Sequence, residues 1–361
     1  MSTFEDVRIL ILYSEIMEYF LSGINCFLDD HPEAHVHIFE LDEHKRTSYS
    51  FLPDRFVYQK KSHFKTYLEF EQVCREFNPT LILVSGRMHL HYLKVAKHFK
   101  KLGVYTITLQ DTPFENTFRQ FVIRSLSLIL YKKYFTGFWG AGLPQLHFAA
   151  SLGFKSRDTF RNLLTANLNV FSRRRNSVTS NQSDSMKFLF VGRFSKEKNL
   201  EVLIKVLETI NHDFKASHQL ILVGEGPLLP QLINKKNISV HPFLNAEDIM
   251  KLINEVDACC LPSTYEAWGV VIHEFAAAGL PLLLSNKCGA LTEFFVEGVN
   301  GYSFNPNDFL SIYKAFTKFL SLDVCTIKAF GENSAKLSQK ITPKIWSSTL
   351  DEIIKRSREN N

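Results

Sequence analysis

The stretch Leu261–Gly279, which reads L-P-S-T-Y-E-A-W-G-V-V-I-H-E-F-A-A-A-G, decides the interpretation of the second half of the chain. An apolar segment, Val256–Leu261, runs into it, and a polar loop then leads to a short apolar run that Gly279 and Pro281 terminate. This order predicts a buried strand, a loop and a buried helix over Val270–Ala278.

Two acidic residues, Glu266 and Glu274, lie in that loop and that helix. Glu274 stands between Ile272 and Phe275, so we expect a buried carboxylate that needs hydrogen-bond donors. Two carboxylates in these places are suited to a ligand rich in hydroxyl groups. The simpler interpretation is a capping acid and a solvated surface acid, and it suits Glu266 better than Glu274.

The composition is that of a globular protein with two domains. The chain has 361 residues, of which 45% are hydrophobic and 22% charged. It contains no apolar run of about 18 residues, so we expect no membrane-spanning helix. The first residues lack the pattern of a signal peptide, and the cysteines form no C-x-x-C pair. We therefore expect a cytoplasmic protein with reduced thiols.

Positive charge is concentrated in one part of the chain. The net charge is +5, yet Arg87 to Arg175 contains 15 Lys and Arg against 3 Asp and Glu, a local charge of +12. This basic belt indicates an anionic surface or substrate, such as the inner face of a membrane or a charged acceptor. Solvated lysines scattered over the surface would give the same count.

Strands alternate with helices in the first half, which predicts an α/β fold with a parallel sheet. The strands are predicted at Val7–Tyr13, Val36–Leu41, Thr80–Val84 and Val104–Leu109. Asp42–Ser62 is polar and is predicted to be a loop. Thr117–Tyr134 mixes apolar and basic residues, and it is predicted to be a helix packed on the sheet, with a membrane-surface helix as the alternative.

The second half repeats the alternation after a stretch rich in Ser and Asn. The predicted organisation is a first domain over residues 1–172, a linker over 173–186, a second domain over 187–340 and a terminal helix over 341–361. Strands are predicted at Phe188–Val191, Gln219–Val223, Ile238–His241, Val256–Leu261, Pro281–Ser285 and Tyr302–Phe304, and late helices at Phe309–Leu320 and Ile345–Lys355.

Several enzyme classes lack their motifs in this chain. No G-x-G-x-x-G follows the first strand, which argues against a nicotinamide dehydrogenase. No G-x-S-x-G is present to support a hydrolase. No D-x-D motif is present to hold a divalent cation, so we expect no metal and no cofactor.

Chemistry-bearing residues follow the predicted strands of the second half. Gly192, Arg193 and Lys198 come after one strand, and basic side chains beside a helix start are suited to binding phosphate. A glycine-rich turn, Gly224–Pro227, follows the next strand, and Lys287–Glu293 follows a later one, where Gly289 is expected to present free N–H groups. Because the carboxyl ends of parallel strands meet at one edge, we expect these groups to converge with Glu266 and Glu274.

In their order, these motifs resemble the nucleotide-binding domain of retaining GT-B glycosyltransferases of the group 1, family 4 type. The resemblance rests on F-V-G-R-x4-K, G-E-G-P, Y-E-A-W-G-V-V-I-H-E and K-C-G-A-L-T-E…E-G-V-N-G, and it covers about Phe188–Leu320. It implies two Rossmann-like domains with parallel sheets facing a central cleft. It also implies that the terminal helix packs back on the first domain.

The resemblance implies roles for particular residues. Arg193 and Lys198 would hold the donor diphosphate, Glu266 would contact the donor sugar, and Glu274 would bind the ribose. Catalysis would rest on Glu266, Arg193 and Lys198. The remaining donor-binding positions would be Gly192, Gly224, Gly226, Thr264, Gly269, Val270, Gly289, Ala290 and Leu291.

The first half resembles the family in architecture only. The glycine-rich loop that usually follows the first strand is replaced by Ser14-Glu15-Ile16-Met17, and the family histidine after the fourth strand is replaced by Gln110-Asp111. Gln110, Asp111 and Arg87 are the candidates for the acceptor side.

The resemblance implies retaining, metal-independent transfer of a sugar from a UDP- or GDP-linked donor to a hydroxyl acceptor. We expect a lipid-linked or surface-polysaccharide acceptor, as in lipopolysaccharide or capsule synthesis, with peripheral membrane contact and no nucleic-acid partner. Two alternatives stay open: another GT-B activity, such as an epimerase, and a non-catalytic nucleotide-sugar-binding subunit of a transferase complex. A phosphorylase is disfavoured because no lysine site for pyridoxal phosphate is evident.

Overall fold

The computed structural model describes residues 7–41, 56–115, 117–172 and 185–359. The chain forms two compact units. Unit 1 comprises the residues up to Thr165 together with those from Pro343 onwards, and unit 2 comprises Ala166–Thr342. Each unit contains one parallel β-sheet, so the predicted α/β class with two parallel sheets is confirmed.

Unit 1 has seven strands among its described residues, in the order β3-β2-β1-β4-β5-β6-β7. The central strand β1 is apolar on both faces, as expected for a parallel strand covered on both sides, and Ile9, Leu10, Ile11 and Leu12 are fully buried. The elements of the first part of this unit are β1 Arg8–Tyr13, α1 Glu18–Asp30, β2 His35–Glu40, β3 Val57–Lys60, α2 Tyr67–Phe77, β4 Leu81–Ser85, α3 Leu90–Lys101, β5 Tyr105–Gln110, α4 Phe118–Ser125, β6 Gly137–Gly140, α5 Leu143–Ser151 and β7 Thr159–Phe160.

Unit 2 has six strands among its described residues, in the order β10-β9-β8-β11-β12-β13. Its elements are α6 Leu168–Phe171, β8 Lys187–Val191, α7 Leu200–Asp213, β9 Gln219–Val223, α8 Leu229–Leu232, β10 Ile238–His241, α9 Ala246–Ile253, β11 Ala258–Leu261, α10 Val270–Ala277, β12 Leu282–Ser285, α11 Leu291–Phe294, β13 Gly301–Phe304, α12 Phe309–Leu320 and α13 Val324–Ser338. The order places β8 between β9 and β11, so the loops after these three strands are neighbours.

The terminal helix α14, Pro343–Glu359, belongs to unit 1 and packs on α1. Trp346 anchors it: the indole is fully buried, and its Nε1–H donates to the carbonyl oxygen of Leu163 at 2.8 Å. Farther along the helix, Arg356 Nε donates to Asp158 Oδ1 at 3.0 Å. One aromatic anchor and one ion pair therefore fix both ends of the helix.

The boundary between the units differs from the predicted one. Unit 2 begins at Ala166, whereas the predicted first domain ran to residue 172. The difference arises because α6 packs against α9 and α10 of unit 2. The amide of Ala166 also donates to His273 Nδ1 at 2.9 Å. Of the predicted linker, residues 173–184 lie outside the described residues, as do residues 42–55 of the predicted loop.

Several described elements were not predicted from the sequence, among them strand β6 and helix α6. Val57–Lys60 forms the edge strand β3, although its polar residues favoured a loop. The short strand β7 and the helix α13 also went unpredicted. The buried face of α13 includes Gly331, Ser334 and Ser338, so it lacks the apolar period of a typical core helix. A Cβ at Gly331 would lie 2.3 Å from the carbonyl oxygen of Gly279, which explains the need for glycine there.

Within the described ranges, every helix is too short or too polar to cross a membrane.

Candidate functional site

An ion pair joins two of the predicted site residues at the carboxyl edge of the unit 2 sheet. Lys198 lies at the end of a 3₁₀ turn after β8, and Glu266 lies in the loop after β11. The Nζ of Lys198 donates to Oε2 of Glu266, and each side chain is 16% exposed. The pair is 68 residues apart in the chain, and the neighbouring positions of β8 and β11 bring it together. Removing either partner would leave a largely buried charge without its counterion.

The loop after β8 is held against the turn after β9 by close backbone packing. A Cβ at Gly224 would lie 2.1 Å from the carbonyl oxygen of Gly192, and a Cβ at Gly226 would lie 2.5 Å from that of Phe194. The amide of Phe194 donates to the carbonyl oxygen of Glu225 at 2.8 Å. The two glycines are therefore required by close approach, and they fix the backbone on either side of Arg193.

Arg193 is exposed in this loop, and its side chain is not in the Lys198–Glu266 pair. Its charge contributes to the local field: the hydrogen bond from Ser195 lowers the pKa of Glu197, and the charges of Lys198 and Arg193 lower it further. Glu197 is thus an ionised carboxylate beside the two cations.

The loop of Glu266 is bonded to the loops on both of its sides. The amide of Thr264 donates to the carbonyl oxygen of Glu197 at 2.8 Å, which connects it to the loop after β8. The amide of Glu266 donates to the carbonyl oxygen of Lys287 at 3.3 Å, and Ser263 Oγ donates to Glu266 Oε2 at 3.4 Å. The Glu266 carboxylate is therefore positioned by three loops of one sheet edge.

The segment after β12 corrects one prediction. The amide of Gly289 is not free: it donates to the carbonyl oxygen of Glu266 at 3.0 Å. The amides of Ala290 and Leu291 likewise donate to Trp268 and Cys288. The amides of Gly289 and Ala290 hold the loop after β12 against the Glu266 loop, whereas that of Leu291 bonds within its own loop. The approach is close, since a Cβ at Gly289 would lie 2.2 Å from the carbonyl oxygen of Ala267.

Gly269 is the N-cap of helix α10, and its φ of 89° is left-handed. A helix leaves its first N–H groups without intrahelical partners, so Val270 stands at the end of α10 that can attract an anion. Glu274 lies one turn further on the same face and is only partly buried, which corrects the prediction of a buried carboxylate.

The fully buried polar residue of α10 is instead His273. Its Nδ1 accepts from the amide of Ala166 at 2.9 Å, and its Nε2 lies 2.9 Å from the carbonyl oxygen of Ser338, to which it donates. The ring stacks on Phe294 with centroids 4.1 Å apart. Burial lowers the pKa of His273 to about 4, so the ring is neutral at physiological pH. A histidine in an otherwise largely apolar helix was the signal that sequence reasoning missed.

A cavity of about 550 Å³ opens beside the loop after β8. Its lining includes Glu197, Asn199, Leu228 and Thr264. A volume of this size lies in the range of small-molecule sites. It adjoins the Thr264–Glu197 hydrogen bond, so it reaches the same sheet edge as the ion pair.

The acceptor-side candidates lie at strand ends of unit 1. Gln110 is buried at the end of β5, and its amide donates to Thr108 Oγ1 at 2.9 Å. The carbonyl oxygen of Asp111 accepts from Gln145 Nε2 at 2.6 Å. Arg87 lies over the ring of Tyr131, with its guanidinium carbon 5.5 Å from the ring centroid.

No group of three or more His, Cys, Asp and Glu side chains suited to a metal ion occurs among the described residues.

Comparison with known proteins finds a match to a family model in the second half of the chain. Residues 172–337 match the family model of the glycosyl transferases group 1. An uncharacterized glycosyltransferase of Methanocaldococcus jannaschii is 33% identical over 136 residues, which is 35% of this chain and 34% of that protein. A glycogen synthase of Mycobacterium tuberculosis is 32% identical over 141 residues, which is 37% of this chain and 34% of that protein. The chain thus matches about a third of the length of these relatives.

Solved structures match over nearly the whole chain. A glycosyltransferase from Rickettsia africae has a TM-score of 0.74 at 13% identity, covering 98% of this chain and 99% of that one. The Anabaena protein HepE, solved in complex with UDP and glucose, has a TM-score of 0.71 at 15% identity, covering 97% of this chain and 99% of that one. These likenesses show that the fold is GT-B.

Proposed function

We propose that this chain is a retaining glycosyltransferase, because residues 172–337 match the model of the glycosyl transferases group 1 and the fold is GT-B. It transfers a sugar from a UDP- or GDP-linked donor to a hydroxyl group, without a metal ion. The observation that carries the proposal is the Lys198–Glu266 pair, held at the sheet edge by three loops. The Anabaena structure with UDP and glucose supports a nucleotide-sugar donor.

Each residue of the site would have a distinct role in the reaction. Departure of a nucleoside diphosphate builds negative charge on its phosphates, which Arg193, Lys198 and the start of α10 would stabilise. Glu266 would contact the donor sugar, and its bond to Lys198 would connect that contact to the leaving group. Glu274, partly buried one turn into α10, would bind the ribose hydroxyls.

Front-side attack accounts for retention of configuration at the sugar. The acceptor hydroxyl would form its bond to the anomeric carbon on the face that the diphosphate leaves, through an oxocarbenium-like state. The departing phosphate would take the hydroxyl proton, so no separate base is needed. We propose a lipid-linked or surface-polysaccharide acceptor on the inner face of the membrane, which the basic belt of residues 87–175 supports.

Binding of nucleotides tests the donor class. We expect UDP or GDP, and the corresponding nucleotide sugars, to raise the thermal stability of the full chain. A ligand at about 100 times its Kd adds roughly 2.7 kcal/mol to the free energy of unfolding. Arg193→Ala and Lys198→Ala should each weaken diphosphate binding about tenfold or more, because a charge-assisted contact is lost.

Lys205→Ala is the matched control, since Lys205 is an exposed lysine on α7. If Arg193→Ala and Lys198→Ala both bind the diphosphate as the parent chain does, the assigned phosphate site is wrong.

A non-catalytic nucleotide-sugar-binding subunit is the second candidate. The loop after β1 favours it, because this loop lacks glycines and its amides are engaged by unit 1. The amide of Ser14 donates to Ser85 Oγ at 2.7 Å, and that of Ile16 donates to Glu40 Oε1 at 2.6 Å. Such a subunit would bind the nucleotide sugar but neither transfer nor hydrolyse it when acceptors are supplied.

A further inference from the structure

Helix α4 exposes bulky apolar side chains to solvent and buries a polar one, Gln120. Phe118 and Phe121 are 82% and 61% exposed, whereas Gln120 is 6% exposed. A surface helix normally has the opposite arrangement, with the apolar face toward the core. The predicted packing of residues 117–134 on the sheet is therefore wrong for Phe118 and Phe121, whereas Ile123 does pack against the core of unit 1.

Hydrogen bonds of Gln120 fix this orientation. Its Nε2 donates to the carbonyl oxygen of Pro113 at 2.6 Å, and its Oε1 accepts from the amide of Glu115 at 2.8 Å. The Thr117 hydroxyl also caps the helix by accepting from the amide of Gln120. Rotating α4 to bury the phenylalanines would break both of these side-chain bonds.

The apolar surface continues beyond α4. A π-helical turn, Leu128–Lys132, follows the helix and exposes further bulky side chains. We define the apolar ridge as the exposed set Phe118, Phe121, Val122, Leu126, Leu128 and Ile129. These six residues lie on two consecutive helical segments, α4 with its C-cap Leu126 and the π-helical turn. An ordinary surface exposes its apolar residues singly, so a group of this size marks an interaction site.

The chain segment that carries the apolar ridge includes basic side chains and no acidic ones. Residues 117–134 contain four basic residues and no Asp or Glu, and the same absence of acids holds for α3. Lys100 Nζ donates to the carbonyl oxygens of Lys132 and Phe135, which attaches the end of α3 to the π-helical turn. The nearby charge of Lys133, and then that of Lys101, lowers the pKa of Lys97, so these three lysines form one cluster.

We propose that the apolar ridge and this lysine cluster dock unit 1 on the surface of an anionic phospholipid bilayer. Phe and Leu side chains enter the boundary between headgroups and acyl chains, while Arg119, Arg124 and the lysines meet the anionic headgroups. A second copy of the chain fits this surface poorly, because a two-fold contact would bring like charges together. A nucleic acid offers no apolar partner for the six side chains.

The docking surface would bring the proposed enzyme to a lipid-linked acceptor. It rests on the proposed function only for that use. Binding to lipid and binding to nucleotide are separate measurements. Loss of vesicle binding with nucleotide binding intact would refute the docking surface alone. The reverse result would refute the donor site alone.

The test is co-sedimentation of the full chain with vesicles of phosphatidylcholine, with and without phosphatidylglycerol. We expect binding to the anionic vesicles only. Phe121→Ser and Arg124→Glu should each weaken it, by about tenfold for the phenylalanine and about fivefold or more for the charge reversal. Phe214→Ser is the matched control, because Phe214 is an equally exposed phenylalanine, at 60%, in unit 2.

Three outcomes would overturn the docking surface. The first is equal binding to neutral and anionic vesicles, and the second is binding by Phe121→Ser equal to that of the parent chain. The third is a concentration-dependent dimer that Phe121→Ser abolishes, which would assign the ridge to self-association. Thermal unfolding of each variant confirms folding, and because both changed side chains are exposed we expect midpoints close to that of the parent chain.

Discussion

The two units hold the loops at their strand ends by different means. In unit 2, the loop after β8 and the turn after β9 touch backbone to backbone at Gly192–Gly224 and Phe194–Gly226. Such contacts leave no room for a side chain at the glycines. The loops have one arrangement, and it is fixed before any ligand arrives, as a preorganised binding site requires.

In unit 1, side chains hold the corresponding loops. The hydroxyl of Ser85 and the carboxylate of Glu40 accept from amides of the loop after β1, and Gln145 holds the loop after β5. Gly86 has space around it, since a Cβ there would meet only Gln110 Nε2 at 3.9 Å. The difference indicates that the edge of unit 2 tolerates few substitutions, whereas the edge of unit 1 tolerates more.

The largest effect that this comparison predicts is on catalysis. Glu266→Ala should lower the rate of transfer about 10³-fold, equivalent to roughly 4 kcal/mol, because the donor-sugar contact is lost. Asp111→Ala, at a strand end of unit 1, should lower it about tenfold at most. The measurement is kcat/KM for the donor with each variant.

Glu208→Ala, an exposed acid on α7, serves as the control for Glu266→Ala. If Glu266→Ala and Asp111→Ala lowered kcat/KM equally, the sheet edges of the two units would contribute equally to use of the donor. That result would contradict the difference between the units.

A matched pair of glycines tests the packing directly. Both Gly224 and Gly86 have positive φ, at 143° and 65°, so alanine strains the backbone at each. At Gly224 the new Cβ also meets the carbonyl oxygen of Gly192 at 2.1 Å. Gly224→Ala should therefore lower the free energy of unfolding by about 3 kcal/mol or more, and Gly86→Ala by about 1–2 kcal/mol.

Denaturant unfolding of the two glycine variants gives these values. Nucleotide affinity should fall with Gly224→Ala and stay constant with Gly86→Ala. Similar destabilisation at both positions would show that backbone strain, and not loop packing, sets the requirement for glycine.

The same contrast explains which parts of the site could be predicted. Backbone contact permits only glycine at positions 224, 226 and 289, so these residues are visible in the sequence as a motif. The contact of Lys198 with Glu266 follows from the neighbouring strands. The bonded amide of Gly289 could not be foreseen, because sequence shows a glycine but not the carbonyl oxygen that it approaches.

Elements were predictable where burial followed a regular period. The apolar strands of both sheets satisfied this condition. The helix α13 did not, because its buried Gly331, Ser334 and Ser338 interrupt the period. The orientation of α4 was missed for a related reason: the bonds that hold Gln120 inward depend on the carbonyl and amide groups of residues 113 and 115, which the sequence pattern does not show.

Buried histidines extend the comparison between the units to their response to pH. In unit 2, His273 is held between two backbone groups, at Ala166 and Ser338. In unit 1, His37 lies 3.1 Å from the side-chain oxygen of Gln59. Burial lowers the pKa of both histidines, and for His37 the bond to Gln59 opposes that shift.

The last effect that we predict is a pH slope specific to His273. Its folded pKa of about 4 lies below the ordinary value of 6.5, so the unfolded chain binds more protons between these two values. The free energy of unfolding therefore falls as the pH drops through this window, by about 2 kcal/mol between roughly pH 7.5 and 5. His273→Gln should remove this pH dependence, even if the substitution also lowers the free energy of unfolding at neutral pH.

His37→Gln should remove a smaller pH dependence. The Gln59 side chain can move to accommodate a charged His37 ring, whereas the amide of Ala166 cannot accept a proton from a charged His273. Denaturant unfolding of both variants across this pH range checks the order, and a larger slope change at His37 would reverse it.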